Sequence, residues 1–411
     1  MRISSLYLAI LITLSINLGS CTWSNEDDFQ SYLPLNDSEY PYAGIPRIVI
    51  ETESLRQIRD TETEIPAKMQ IYDDKSPISD ILTLTVKGRG NSSFDGMPKY
   101  NIKLKFHEEQ SLFDIAPNKE WVLIANFADK SLLKNIISYR LYDKLGAKWS
   151  PKVQPVELYL NQNYMGVYLL VETVKVGNNR VNIPTNNSSF LVEIDKNYRP
   201  NDFIVQVNNT PFRIHYPKDS SSTGTFVAFL NHFYNFLKSD SIKDFSSLNR
   251  YFDVNEYKAF FWTYEFGSTF DCFRTSTFFT WNIGGPIVMG PVWDFDLAYG
   301  DPLHNASPEG WRIKEIEWNP FLFKNAEFRK VIRDFWFSQH KAFEDIRDSL
   351  PIYGKKLEKV AQNNFKRWPV LESTESWAHI TKHSSYEEAV QHLQKWISDR
   401  MDWIDIAILE L

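Results

Sequence analysis

The sequence predicts a mixed α+β fold with two lobes. Segments with strand patterning dominate up to about residue 216, and segments with helix patterning dominate afterwards, apart from one hairpin. The chain has 411 residues, 43% of them hydrophobic and 15% aromatic, which is enough apolar material for a substantial core. We therefore expect a strand-rich lobe at about residues 46–216 and a helix-rich lobe at about residues 217–411.

Period-two alternation and short apolar runs mark the strands of the first lobe. Residues 100–106 alternate, so that Ile102 and Leu104 share one face of a strand while Lys103 lies on the other. Further runs predict strands at residues 46–50, 68–72, 81–86, 121–125, 155–159, 166–172 and 190–194. The Asn-Gln-Asn sequence at residues 161–163 predicts a hairpin turn.

Capping residues and apolar stripes mark the helices. Asp129 is a suitable N-cap for a helix at residues 130–145, which Gly146 would end. Ser384 and Glu387 form a capping-box pattern before a C-terminal amphipathic helix. The remaining elements are helices at residues 225–237 and 254–266 and a hairpin of strands at residues 277–281 and 287–289.

The first 21 residues carry the pattern of an export signal. Arg2 precedes an apolar stretch at residues 6–18, which is too short to span a membrane comfortably. The sequence Leu-Gly-Ser-Cys then ends at Cys21, as in the lipobox of bacterial lipoproteins, whose cysteine is lipidated and becomes the first mature residue. An ordinary signal peptide cut elsewhere, or a short membrane anchor, are the alternatives.

These signals predict the domain order and the location of the protein. We expect a signal peptide at residues 1–20, a lipid-anchored acidic tether at residues 21–45 and one folded domain at residues 46–411. The N-terminal lipid would hold a monomer in the cell envelope, at the outer membrane or the cell surface, with the sidedness left open. The net charge of −7 argues against nucleic acid as a partner.

A glycine-bearing turn and a lysine offer one possible phosphate site. Residues 88–93 read Gly-Arg-Gly-Asn-Ser-Ser, and Gly88 and Gly90 would let backbone amides approach a ligand closely. Lys103, on the polar face of the next strand, could neutralise phosphate charge. Most such turns are simply turns, however, and Lys103 could equally be a solvated lysine.

Three aspartates lie in apolar surroundings, where a charge is costly unless it has a partner. Asp271 follows an apolar helix, and Asp294 and Asp296 lie in a segment rich in Trp and Phe. Carboxylates in such surroundings hold a cation, Mg²⁺ for example, or transfer protons. Helix capping or pairing with Arg274 would explain them as well, and Asp294 with Asp296 also has a spacing compatible with an inverting glycosidase.

Smaller features have both structural and functional interpretations. His379 and His383 are four residues apart and could share a metal, although no third ligand is evident nearby. Cys272 could be a reactive thiol or a buried structural cysteine. The many aromatic residues could line a glycan-binding cleft, but their even spread along the chain favours a core.

Five motifs, in order, resemble the CotH family of spore-coat-type proteins, which have an atypical protein-kinase-like fold. They are KGRGNSSF at residues 87–94 with PK at 98–99, LIANFADKSLL at 123–133, VELYLN at 156–161 with GVYLLVE at 166–172, GPVWDFDLAYG at 290–300, and the closing Trp396, Arg400, Trp403 and Asp405. The resemblance runs from about residue 46 to residue 411. It implies a two-lobed, kinase-like unit that uses ATP and Mg²⁺ to phosphorylate Ser or Thr of an extracytoplasmic protein.

The resemblance also implies roles for individual residues. Gly88 and Gly90 would cover the phosphates of ATP, Lys103 would be the strand lysine that binds them, and Glu172 would lie at the hinge near adenine. In the second lobe, the residues implied are Asp271 as the catalytic aspartate, Asp294 as the magnesium ligand with Asp296 as alternate, and Ser276 at the position of a second metal ligand.

Three departures from kinase motifs leave an alternative open. Asp271 is preceded by Thr-Phe rather than His-Arg, and Ser276 replaces the asparagine that usually binds metal. The helix after Asp129 also offers no glutamate to pair with Lys103. The alternative is a catalytically weak or inactive, pseudokinase-like surface protein that binds a protein or glycan partner.

Overall fold

A computed structural model describes residues 35–300, 306–374 and 381–411. The predicted signal peptide, the lipidation residue Cys21 and His379 lie outside the described residues, as does the tether up to residue 34. The strands are β1 (Arg47–Thr52), β2 (Ile65–Asp73), β3 (Ser76–Pro77), β4 (Leu82–Arg89), β5 (Asn101–Leu112), β6 (Ile115–Ile124), β7 (Val153–Leu160), β8 (Asn163–Glu172), β9 (Ser189–Ile194), β10 (Ile204–Val207), β11 (Thr210–Tyr216), β12 (Thr277–Asn282) and β13 (Ile287–Met289). The helices are α1 (Ser92–Asp95), α2 (Lys134–Lys144), α3 (Thr223–Lys238), α4 (Phe245–Tyr251), α5 (Val254–Phe266), α6 (Asn319–Leu322), α7 (Ala326–Arg367) and α8 (Tyr386–Ala407).

Seven strands of the N-terminal part close into a barrel. They follow the order β1-β7-β8-β6-β5-β4-β2, and β1 pairs with β2 to complete the ring. The β1–β7 pair is parallel, and the other pairs are antiparallel. The alternation along β5 is as predicted, because Ile102 and Leu104 pack inside the barrel while Lys103 lies on its outer face.

A second sheet joins strands from both halves of the chain. Its order is β10-β11-β9-β12-β13, so that β9 pairs with β11 on one side and with β12 on the other. The predicted two-lobed, protein-kinase-like fold is therefore wrong, although the fold is mixed α+β. The strands predicted for the first lobe form a closed barrel, and the hairpin predicted for the helix-rich lobe pairs with β9 from the N-terminal half, so that one sheet joins the two predicted lobes.

One hydrophobic core runs between the barrel and the helices. The outer face of β6 and β8, including Val122 and Leu169, packs in the same cluster as Phe190 of the second sheet. Buried aromatic residues of the helices, such as Trp262 and Trp336, belong to this cluster as well. The aromatic residues thus form much of the core, which spreads across both sheets.

Two helix starts differ from prediction by a few residues. α2 begins at Lys134 rather than residue 130, because the Asp129 carboxylate binds the N–H groups of Ser131 and Lys134 (both 2.9 Å) and holds the intervening residues in a turn. The capping box of α8 lies one residue later than predicted. Its N-cap is Ser385, whose hydroxyl accepts the N–H of Glu388 at 3.1 Å.

A fully buried ion pair anchors the C-terminal helix. The Nη2 atom of Arg400 on α8 lies 2.7 Å from Glu265 Oε1 on α5, and both side chains are inaccessible to solvent. The Glu265 carboxylate also accepts the N–H groups of three consecutive residues, 312–314. Arg400 Nη1 donates to the carbonyls of Pro308 and Gly310. The pair therefore joins α5, α8 and the segment before α6.

A buried lysine joins the barrel to the long helix α7. The ammonium of Lys99 donates to the Val167 carbonyl and to Asn364 Oδ1 (3.0 Å) and lies over the Tyr168 ring. Asn364 Oδ1 also accepts the Val167 N–H at 3.0 Å. Gly166 makes this approach possible, because a Cβ atom there would lie 2.5 Å from Asn364 Oδ1.

We expect Gly166→Ala to destabilise the protein more than Gly146→Ala. Both glycines have a left-handed backbone (φ +90° and +85°), but nothing lies within 4 Å of a Cβ at Gly146. Backbone strain should cost each variant about 1–2 kcal/mol, and the disrupted buried hydrogen bonds should cost Gly166→Ala about 1–3 kcal/mol more. Free energies of unfolding from urea titrations check this. Equal losses in the two variants would contradict the proposed role of Asn364.

Candidate active site

Three aspartates converge at one place in the fold. Asp294 and Asp296 follow β13 and are half-buried, and their carboxyl groups are hydrogen-bonded to each other. Loss of contact with water raises the pKa of Asp296 well above its usual range, and the charges of Asp294 and Asp271 raise it further. The charge of Lys134 acts to lower the pKa of Asp296. The Lys134 ammonium also donates a hydrogen bond to the Asp296 backbone carbonyl at 3.2 Å. The arrangement therefore favours one shared proton or a bound cation.

Side chains from two helices fix the aspartate segment. Asn135 of α2 accepts the N–H of Phe295 at 3.0 Å. The Tyr264 hydroxyl on α5 accepts the N–H of Trp293 at 2.9 Å and donates to the Trp293 carbonyl at 3.0 Å. Asp294, between these anchors, has a positive φ of 70°. Such a conformation is costly for a non-glycine residue and persists because the neighbours are held.

Ser276 and Glu193 complete the acidic group. The Ser276 hydroxyl donates to Asp294 Oδ2 at 3.1 Å, and its N–H donates to Glu193 Oε1 at 3.1 Å. The other Glu193 oxygen lies 2.7 Å from His215 Nε2. Burial raises the pKa of Glu193, but His215, Arg213 and Arg89 together outweigh it and the net pKa is lowered. Ser276 therefore lies next to Asp294, and its role as a metal ligand stays a prediction.

Asp271 lies in the turn after α5, close enough for its charge to act on Asp296. Its carbonyl accepts the N–H groups of Arg274 (2.8 Å) and Thr275 (3.0 Å), which fixes the turn. The guanidinium of Arg274 lies 4.2 Å from the centre of the Phe270 ring. Cys272 next to Asp271 is buried, and burial raises the pKa of its thiol well above the usual range, so the structural interpretation is favoured.

Arg89 brings the barrel into the site. Arg89 is the last residue of β4. Its guanidinium carbon lies 4.6 Å from the centre of the ring of Trp293, the residue that precedes Asp294. Its Nη1 atom is buried and has no hydrogen-bond partner. Burial lowers the pKa of Arg89, and the charges of Glu193 and Asp294 oppose this lowering.

Lys103 lies on the same outer face of the barrel as Arg89. β4 and β5 pair so that Lys103 is opposite Lys87, two residues from the pair of Arg89 and Asn101. The ammonium of Lys103 lies 2.7 Å from Glu120 Oε2. Burial raises the pKa of Glu120, but Lys103 and Lys175 outweigh it and bring the pKa to about 2. Glu120 of β6 is thus an ion-pair partner of Lys103, and a contact of Lys103 with phosphate stays a prediction.

The glycine turn is tightly packed. A Cβ at Gly88 would collide with the Phe94 ring, and Gly90 has a φ of +106°. The Gly90 carbonyl accepts a hydrogen bond from Arg199 Nη2 at 2.7 Å. Both glycines are therefore required by the fold at this turn, and their contact with phosphate stays a prediction.

Glu172 lies at the end of β8, as predicted, with its carboxylate engaged. It forms a buried ion pair with Arg180 and accepts the N–H of Lys152 at 2.8 Å. Arg180 in turn lies 5.3 Å from the centre of the Trp121 ring. The side chain fixes the end of the strand, and a contact of this region with adenine stays a prediction.

The donor set suits Mg²⁺ only together with a ligand. Asp294, Asp296 and Ser276 offer oxygen atoms, which Mg²⁺ prefers, and two touching carboxylates need a proton or a cation. Over the described ranges of the chain, however, no three His, Cys, Asp or Glu side chains form a group that could hold a metal ion. Mg²⁺ commonly completes such a site with phosphate oxygens and water. The residues therefore fit a metal that arrives with a nucleotide.

Sequence reasoning missed Arg89 and Glu193 as site residues. Arg89 lies inside the glycine motif, where the sequence indicates no role for it. Its contact with Trp293 follows from its position at the end of β4. Glu193 is a single charge within the apolar run at residues 190–194. A lone carboxylate in a buried strand needs a partner, and this signal could have identified it.

We expect Asp296→Asn to stabilise the ligand-free protein at neutral pH. Because the pKa of Asp296 is raised in the folded state, the folded protein keeps a proton that the unfolded chain releases. Stability is therefore lost as the pH rises above the unfolded-state pKa. Asparagine retains a hydrogen-bond donor toward Asp294 without the charge. The melting temperature in chelator-treated buffer should rise at neutral pH and change little at acid pH.

The matched control for this prediction is Asp334→Asn. Asp334 is exposed on α7, and its pKa is lowered by hydrogen bonding to Lys330. Its replacement should leave the melting temperature unchanged or slightly lower. A lower melting temperature of Asp296→Asn at neutral pH would contradict the proposed crowding of carboxylates.

Comparisons with known proteins place these residues in a family. Within the described residues, no helix has the length and apolar character needed to span a membrane. A search of curated proteins gives no match. A family model described as "CotH kinase protein" matches residues 86–404, a range that holds Arg89, Glu193, Asp271 and Asp294. The match covers most of the chain, which therefore belongs to the CotH kinase family.

Proposed function

We propose that this protein transfers the terminal phosphate of ATP to a Ser or Thr hydroxyl of an extracytoplasmic protein. Membership of the CotH kinase family supports a kinase-like function. The observation that carries the finer proposal is the convergence of Asp271, Asp294 and Asp296 in one site with Ser276. Phosphoryl transfer needs a proton acceptor and oxygen ligands for a metal, and these residues offer both.

Each residue of the site has a role in this proposal. Asp294 and Asp296 would hold Mg²⁺, with Ser276 as a weaker ligand, and the metal would neutralise charge on the phosphates. Gly88, Gly90 and Lys103 would lie along the phosphates, and the end of β8 at Glu172 would lie nearest adenine. Glu120 forms an ion pair with Lys103 at 2.7 Å, which orients the lysine side chain.

Asp271 would act as the proton acceptor. As the acceptor hydroxyl oxygen forms a bond to the terminal phosphorus, its proton passes to the Asp271 carboxylate. The bond from that phosphorus to the bridging oxygen breaks, and ADP leaves with the electron pair. General-base catalysis of this kind contributes about 10²- to 10⁴-fold to a rate.

Two substitutions separate nucleotide binding from phosphate transfer. Asp294→Asn should lose most of the thermal stabilisation by Mg·ATP, because it weakens the metal site. Asp271→Asn should keep the stabilisation but lose about 10²- to 10⁴-fold in labelled phosphate transfer to a mixture of envelope proteins. Asp334→Asn, the same chemical change on the surface of α7, should alter neither readout.

Absence of any stabilisation of the wild type by saturating Mg·ATP would contradict nucleotide binding. Stabilisation without transfer to any acceptor would favour the alternative, a pseudokinase-like surface protein that binds a protein or glycan partner. In that case, binding of the partner should survive both Asp271→Asn and Asp294→Asn.

We also propose that the protein is exported and anchored in the cell envelope by a lipid on Cys21. The Leu-Gly-Ser-Cys sequence after an apolar stretch supports this proposal. Cys21→Ala should abolish incorporation of labelled fatty acid and move the protein from the membrane to the soluble fraction. Cys272→Ala, at the buried thiol, should retain the label. Membrane attachment of Cys21→Ala equal to that of the wild type would contradict a lipid anchor.

A further inference from the structure

The guanidinium of Arg89 has an unmet hydrogen-bonding capacity inside the site. Its Nη1 atom is buried and has no hydrogen-bond partner. Leaving a buried polar group unpaired is costly, and a charged group costs more than a neutral one. Such a group is expected to have a ligand.

The fold holds this guanidinium in place from two sides. Arg89 ends a strand of the closed barrel, opposite Asn101 of β5. The Trp293 ring, 4.6 Å from the guanidinium carbon, supports its face. A planar guanidinium stacked on an aromatic ring directs its N–H groups sideways, within its own plane. The Trp293 ring therefore restricts the orientation of the guanidinium.

The nearby carboxylates are engaged with other partners. Glu193 binds His215 Nε2 at 2.7 Å and the Ser276 N–H, and Asp294 accepts the Ser276 hydroxyl. Burial lowers the pKa of Arg89, and the charges of Glu193 and Asp294 act against this lowering. Two further cations of this face are paired, Lys103 with Glu120 at 2.7 Å and Lys105 with Glu64 at 3.1 Å. Arg89 is thus a cation of this face with a buried donor that has no hydrogen-bond partner.

We propose that Arg89 binds the terminal phosphate of ATP. A phosphate offers several acceptor oxygens, and the fork of an arginine matches two of them at once. Trp293 and Asp294 are adjacent in the chain. The guanidinium of Arg89 over Trp293 and the proposed metal ligand Asp294 would therefore both contact the phosphate end of the nucleotide. Positive charge at this phosphate also stabilises the charge that develops during transfer. This inference rests on the proposed function and assigns one residue of that site to the transferred group.

The experiment compares ATP with ADP, which lacks the terminal phosphate. In the presence of Mg²⁺, Arg89→Met should lower the affinity for ATP by about 10- to 100-fold, the range for a charge-assisted hydrogen bond, and leave the affinity for ADP within about twofold. Isothermal titration calorimetry measures both. Arg89→Lys keeps the charge but loses the fork, so its ATP affinity should lie between those of the wild type and Arg89→Met.

The matched control is Lys105→Met on the same outer face of the barrel. Lys105 pairs with Glu64 and is half exposed, so the loss of its charge should leave both affinities unchanged. If Arg89→Met does not fold, Arg89→Lys tests the inference alone. Its ratio of ATP affinity to ADP affinity should be lower than that of the wild type.

Two results would overturn the inference while leaving the proposed function standing. One is an equal loss of ATP and ADP affinity, which would place Arg89 at a part common to both nucleotides. The other is an unchanged ATP affinity in both Arg89 variants. A wild-type protein that binds neither nucleotide would overturn the proposed function itself.

Discussion

The buried pair of Glu265 and Arg400 is the constraint on which the C-terminal half depends. It fixes the end of α5, and the turn that carries Asp271 begins directly after that helix. The Glu265 carboxylate also accepts hydrogen bonds from the backbone N–H groups of residues 312–314. One ion pair therefore holds three distant segments together. Loss of either partner would leave an uncompensated buried charge, at a cost of about 3–5 kcal/mol. The geometry of the site is therefore set by residues that take no part in its chemistry.

The site itself is built at the expense of stability. Asp294 and Ser276 both have positive φ angles, and Asp294 and Asp296 crowd two carboxyl groups together. Neither feature would persist without the hydrogen bonds from Asn135 and Tyr264 that hold the segment. Strain and like charge concentrated in one place are typical of a functional site, where ligand binding offsets them.

Sequence reasoning recovers what is local and misses what is not. The alternation at Lys103 and the helix end at Gly146 follow from neighbouring residues, and both agree with the structure. The barrel closes because Arg47 pairs with Tyr72 on one side and with Glu157 on the other, and no periodic pattern encodes such pairings. The three aspartates could be proposed because charge in an apolar segment is visible in the sequence. Arg89 and Glu193 gain their meaning only from the partners that the fold brings to them.

The continuous core between the barrel and the helices has a mechanical consequence. The outer faces of β6 and β8 pack in the same cluster as the second sheet, so rotation of the barrel against the rest would open a close-packed interior. Hinge closure, which many two-domain enzymes use to assemble a site around a substrate, conflicts with this packing. The site must therefore have nearly its final geometry before a ligand binds. Selectivity between ligands would then depend on the shape and charge of the site as the fold builds it, rather than on an induced movement.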